Sequence, residues 1–301
     1  MTTRSFASLS STLLLGITLG TATLTVVTPT IGAQGTQPAP TPQQDSMRSA
    51  QRLDVQGQHD AARAIFQQLI SGAATPAARA AAQRRMAMSY AFEGDCANAA
   101  KYEEMVIDYW KTREAAEPQN AFYQEGEMAN EAARICIDVG ALDVAERLYR
   151  RGTQLGLKEP EPKTHPKTLW DYRLAHALGR LAARRGNAAE ARKQVAIARR
   201  MLDADSAMAS QQARFYPYLV GYVALFTNDL ATAEMELTKA LAMQGNNTDP
   251  FLHVLLGMTY EKMGDSARAT PLYQKAYDLA TGHNPPSAFA RPFARKKLRI
   301  S

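Results

Sequence analysis

Cysteine is scarce in this chain of 301 residues: there are two, Cys96 and Cys136, and they are too far apart for a CxxC pair. That excludes a small disulfide-scaffolded domain and a four-cysteine zinc framework. The five histidines, His59, His165, His176, His253 and His283, have no second histidine or cysteine at ligand spacing, and the chain holds no HExxH or GxSxG run. No catalytic constellation, metal centre or cofactor motif of the usual kinds is therefore legible, and the expectation is a protein that is not an enzyme. Gly152 to Lys158 (GTQLGLK) is one residue short between its glycines for a phosphate loop and lacks the Gly-Lys-Ser/Thr ending, so it reads as a helix end. Alternating apolar runs bounded by turns are also missing, which removes the signal for strands and leaves an all-α chain.

Acidic residues are missing from both ends. Before Asp45 the sole charge is Arg4, and Ser287 to Ser301 carries Arg291, Arg295, Lys296, Lys297 and Arg299 with no acid. These account for the formal net charge of +6, so residues 34–286 balance to zero. The basic pI describes the tail and not a nucleic-acid surface, and nucleic acid is not an expected partner.

Leu13 to Val27 is apolar apart from Gly and Thr interruptions, and Thr28-Pro29-Thr30-Ile31-Gly32-Ala33 then supplies a break and small residues. This patterning predicts a signal peptide over residues 1–33, with cleavage after Ala33 and a periplasmic or secreted mature chain. The alternative is an uncleaved N-terminal anchor. The apolar run falls short of the roughly 20 residues that span a bilayer, and no cationic flank follows it, so no stable span is expected after cleavage. Gln34 to Gln44 is rich in Pro, Gln and Thr and is expected to be a disordered leader.

What the chain has in quantity is a repeat. A small residue is followed at offsets seven, twelve, sixteen and nineteen by a turn residue, an alanine, a bulky apolar residue, and a small or apolar one. The copies begin at Ala50, Ala87, Ala133, Gly179, Gly221 and Gly257, and the last runs Gly257, Gly264, Ala269, Tyr273, Ala276. Glu103 alone breaks the rule, in the bulky place of the second copy. It and Glu104 read as a solvated or misaligned helix position, since adjacent helical residues point apart. Each copy describes two antiparallel helices packed closely at their crossing. Such a hairpin buries its apolar face only by stacking on its neighbours. The turn pairs Gly94-Asp95, Gly186-Asn187, Asn228-Asp229 and Gly264-Asp265 are expected to end one helix and cap the next. Asp108 to Gln124 is expected to close the second hairpin, with Pro118 at its end. The prolines of Leu157 to Lys167 forbid a continuous helix there, and Thr168 is the expected restart. Asn246-Asn247-Thr248 fits a glycosylation sequon and, more simply, a turn before Pro250.

The pattern resembles the tetratricopeptide repeat, best at Leu256-Gly257 with Tyr260, Ala269, Tyr273 and Ala276, and next at Leu178-Gly179 and Val220-Gly221. The copies stand 36 to 46 residues apart, against about 34 in the standard repeat, so longer helices or inserted linkers are needed in the middle. The resemblance implies a right-handed α-solenoid of about six hairpins over residues 45–283. Residues 284–301 would be a basic cap or tail, with Ser287 as N-cap and Phe289 and Phe293 as anchors. Its concave face would be lined by first-helix residues near each anchor: Arg84, Asn130, Arg134, His176, Arg180, Arg184, Tyr218 and Tyr222, with Arg173 and Phe215 a turn away. The implied partner is a protein or peptide, and the arginines and asparagine suit acidic side chains or a free carboxylate. A structural role in a cell-envelope assembly, with contacts made by repeat edges, is the alternative; an enzyme or small-ligand receptor comes third. In a stacked array the helix ends bearing Cys96 and Cys136 share one edge. A disulfide would suit an exported chain, and two buried apolar thiols would be the other outcome.

Overall fold

The computed structural model describes residues 41–300, so the expected signal peptide and most of the leader lie outside the described residues. The described residues contain helices, turns and loops and no strand. The helices pair as α1 (Pro42–Val55) with α2 (His59–Ser71), α3 (Pro76–Phe92) with α4 (Cys96–Lys111), and α5 (Pro118–Asp138) with α6 (Leu142–Gly156). The array continues with α7 (Lys167–Arg184) and α8 (Ala188–Ala204). A short helix α9 (Ser206–Gln212) and one 3-10 turn lead into α10 (Tyr216–Phe226) with α11 (Leu230–Ala242), α12 (Pro250–Lys262) with α13 (Ser266–Leu279), and a last helix α14 (Pro285–Leu298). Each hairpin packs on the next, as an all-α solenoid requires.

The repeat offsets have a direct physical reading. In the last two copies the small first residue lets the bulky residue sixteen places on lie against its backbone. A Cβ on Gly257 would fall 2.6 Å from Cε1 of Tyr273, and one on Gly221 would fall 2.7 Å from Cγ of Leu237. The residue at offset seven has a left-handed backbone in every copy: φ is +80° at Gly264, and Asn228 is the one that is not glycine, at +65°. The next residue caps the following helix in four hairpins, the side chains of Asp95, Asn187, Asp229 and Asp265 accepting from backbone N–H groups three residues on. Each such cap stabilises its helix by about 1 kcal/mol.

Element boundaries differ from the sequence expectations where capping chemistry outweighs composition. The first helix begins at Pro42, inside the expected leader, because Thr41 and Gln44 form a reciprocal capping box with Pro42 in the first helical position. Pro118 starts α5, a 21-residue helix, instead of ending the second hairpin. The restart after the proline-rich loop falls at Lys167, while Thr168 turns its hydroxyl to Asp205 at 2.6 Å. The N-cap of α14 is Asn284, whose side chain accepts from the N–H of Ser287. Asn246 is buried, its amide nitrogen donating to the carbonyls of Arg214 and Ala240, so the sequon is a structural turn.

The last helix does two things. Against α12 and α13 it covers the end of the array, with Ala290, Phe293 and Leu298 in the cluster of Val254, Ala269, Tyr273 and Ala276. It also reaches back to α3 and α5. Ala288 joins the cluster of Met88, Phe92 and Ile135, and the Arg291 guanidinium donates to the carbonyl of Val55. Next to it His283 Nε2 meets Asp54 Oδ2 at 2.8 Å, across 229 residues of sequence. Arg85 donates to the His283 carbonyl at 2.9 Å. On the inner side Arg134 of α5 lies over the ring of Phe251 of α12, 4.4 Å from its centroid. The first and last hairpins thus meet, and α14 fills part of the inner face.

Candidate functional site

What remains of the inner face is a cavity of about 370 Å³ between α5, α7 and α10. Helical periodicity places its walls. Glu127, Asn130, Glu131 and Arg134 stand on one stripe of α5, and Arg173, His176 and Arg180 on one stripe of α7. Tyr149, Tyr172, Phe215 and Tyr218 add aromatic surface, and Pro285 and Pro286 close one side.

Arg180 is the centre of the site, with 5% of its surface exposed. Nη1 donates to Tyr218 Oη at 3.1 Å, Nη2 to Tyr149 Oη at 3.0 Å, and Nε to the His176 carbonyl at 3.4 Å. Its guanidinium is stacked among the rings of Tyr149, Tyr218 and Tyr222. Burial opposes its charge, but the tyrosine oxygens and Asp138 outweigh that and hold its pKa above the ordinary arginine value. No carboxylate lies within ion-pair distance of it among the described residues. Arg134 is close by, with Nε buried and unpartnered, 3.7 Å from Asp138 Oδ2. Burial raises the pKa of Asp138, against the pull of Arg134, Arg180 and Arg184. One carboxylate is therefore shared among three guanidinium groups. His176 is kept neutral, its pKa pushed well below the usual value by burial and by Arg180, while Nε2 faces the Phe215 carbonyl at 3.3 Å.

The other cavity charges are already paired. Glu127 takes Arg173, and Glu131 takes Arg84 at 2.5 Å. The excess of positive charge is thus localised on Arg134 and Arg180, where it suits an anionic group.

Of the eight residues expected on the concave face, Asn130, Arg134, His176, Arg180 and Tyr218 converge on this cavity. Arg84 stands behind Glu131, while Arg184 donates to the buried Tyr222 at 3.3 Å, away from the cavity. Glu127, Glu131, Tyr149 and Tyr172 also line the cavity, although the sequence reading did not include them. The two glutamates are within reach of it, since each stands three residues before Asn130 or Arg134 on the same stripe. The tyrosines are not, since Tyr149 occupies the bulky place of its repeat and Tyr172 lies off the anchor positions. Cys96 and Cys136 form a disulfide, with Cα atoms 4.9 Å apart, joining the start of α4 to the end of α5.

Stacked hairpins around a small inner cavity, with no strand and no cluster of metal-ligating side chains among the described residues, define a helical-repeat scaffold. The α12–α13 hairpin matches the family model of the tetratricopeptide repeat over residues 252–283. That hairpin is similar to a tetratricopeptide repeat, and the other hairpins stack with it in an all-α solenoid of like units. Among curated proteins, none matches it. Repeats of this family suggest a protein-protein interaction scaffold. No helix among the described residues is long and apolar enough to cross a membrane.

Proposed function

We propose that the chain is an exported scaffold that binds a protein or peptide partner at its inner face, through an acidic side chain or a free carboxylate held by Arg134 and Arg180. The observation that carries this reading is the buried Arg180 beside the half-buried Arg134, whose guanidinium groups face a cavity with only Asp138 to compensate them. A carboxylate entering between them gains charge-assisted hydrogen bonds in a site that is already desolvated. The cavity volume suits a chain end or one side chain and not a bound helix, because α14 occupies the neighbouring inner surface. Export is supported by the apolar run of residues 13–27 and by a disulfide of the kind that persists in oxidising compartments.

Arg180 also ties α7 to Tyr149 and Tyr218, so the discriminating variant is Arg134→Gln, which removes the charge and keeps a polar side chain. Capture of partners from the exported fraction should be lost in Arg134→Gln and kept in Arg192→Ala/Arg200→Ala, whose side chains are exposed on α8. The second reading, a structural component contacting its assembly by repeat edges, is favoured by the filling of the inner face by α14. The opposite outcome, capture lost with the α8 pair and unchanged in Arg134→Gln, would establish that reading and overturn the first.

A further inference from the structure

The seam where the first hairpin meets the last contains a second cavity, of about 480 Å³, lined by three arginines, one histidine and no carboxylate. Arg48 and Arg52 come from successive turns of α1, Arg291 from α14, and His283 and Thr281 from the linker between α13 and α14. None of the three arginines is in an ion pair among the described residues. Arg291 is fixed by neutral oxygens only: besides Val55, Nη1 donates to the carbonyls of Tyr277 and Ala280 at 3.1 and 3.3 Å, and Nη2 to Tyr277 Oη at 3.2 Å. Its charge is held in place and left uncompensated. His283, in the wall of the same cavity, turns Nε2 to Asp54 and keeps Nδ1 buried without a partner.

We propose that this seam is a phosphate site, in which Arg48, Arg52 and Arg291 take the charged oxygens of one phosphoryl group supplied by both ends of the array. A tetrahedral dianion can face three guanidinium groups at once, whereas a carboxylate presents two oxygens and one charge. With Nε2–H given to Asp54, Nδ1 of His283 is an acceptor that a P–OH can fill and a carboxylate cannot. A group bound here touches α1 and the last linker together, so it stabilises the closed array by mass action. The site is separate from the inner cavity and independent of the partner proposed for it. Free phosphate and a phosphorylated lipid headgroup offer the same chemistry.

The test is calorimetry and thermal unfolding of the described chain with inorganic phosphate against acetate at matched ionic strength. Co-sedimentation with phosphatidic acid/phosphatidylcholine vesicles and with phosphatidylcholine alone runs beside it. Phosphate should raise the unfolding midpoint where acetate does not, and Arg48→Ala/Arg52→Ala, on exposed positions, should weaken phosphate affinity by about tenfold or more. Arg192→Ala/Arg200→Ala should leave it unchanged. Binding only to phosphatidic acid vesicles, lost in Arg48→Ala/Arg52→Ala, would make the source a lipid headgroup. The proposal is overturned if phosphate and acetate behave alike and no vesicle is bound. Vesicle binding that survives the α1 pair and disappears with Lys296→Ala/Lys297→Ala would also overturn it, since the basic helix alone would then be responsible.

Discussion

Glu103 shows how far one residue can depart from its repeat. It stands where the other copies place a bulky apolar or β-branched side chain, and instead of being solvated it is 1% exposed, with both carboxylate oxygens unpartnered. Burial first, then the nearby Glu131, pushes its pKa well above the ordinary range, against Arg84 and Arg85. A raised acid pKa means that the folded state holds its proton while the unfolded state releases it, so stability falls as pH rises above about 4.5. Glu103→Met should therefore stabilise the chain at neutral pH by about 1–3 kcal/mol. The gain should shrink toward pH 4, and urea unfolding of both proteins at the two pH values measures it. Glu104, its neighbour, pairs instead with Arg151 at the surface. Sequence spacing found the position and missed its burial, because adjacent helical residues point apart and nothing in the pair says which one turns inward.

At the scale of the element, the disulfide and the last helix are the two additions to the repeat. Cys96–Cys136 closes a loop of 40 residues, for which chain entropy gives at most about 4 kcal/mol. Cys96→Ser/Cys136→Ser should lower stability by up to that amount, read as a shift in the urea midpoint that reductant reproduces in the parent. Deleting residues 288–301 uncovers Val254, Tyr273 and the Phe92–Ile135 patch, and should give aggregation on light scattering. The hairpins were legible in the sequence because each offset reflects a contact within about twenty residues, as between Gly257 and Tyr273. The cavity was half legible: helical spacing brings Arg134 and Arg180 to inner stripes, but their tyrosine partners come from other repeats. Helix starts such as Pro42 and Pro118 were misjudged because proline reads equally as a break and as a first helical residue.

At the scale of the whole molecule, nothing in the sequence announced that the array returns on itself. That closure rests on Asp54, held by His59, Ser89 and His283, and these partners are far apart in the chain. Burial and Arg85 lower the pKa of His283, with Asp54 and Glu131 pulling the other way. A base whose folded pKa is depressed gives stability that is lost as pH falls below its unfolded value of about 6.5. Asp54, whose own pKa is lowered by His283, His59 and Ser89 against its burial, loses its contribution further down, below about 3.8. Hydrogen exchange in residues 281–298 should therefore quicken as pH drops through 6, after correction for the intrinsic rate. In His283→Asn that pH dependence should be flattened; an unchanged profile would assign it to His176 instead.

A linear stack of hairpins can ordinarily gain or lose a unit, since each one touches only its neighbours. Here Asp54 and His283 must come within 2.8 Å after a fixed number of steps, each contributing its own rise and rotation. One hairpin more or fewer would carry His283 past Asp54 and take from this buried carboxylate one of the two histidines that hold it. The repeat count of this protein is thereby set by geometry, and duplication of a hairpin, harmless in an open stack, would here cost the contact between its ends.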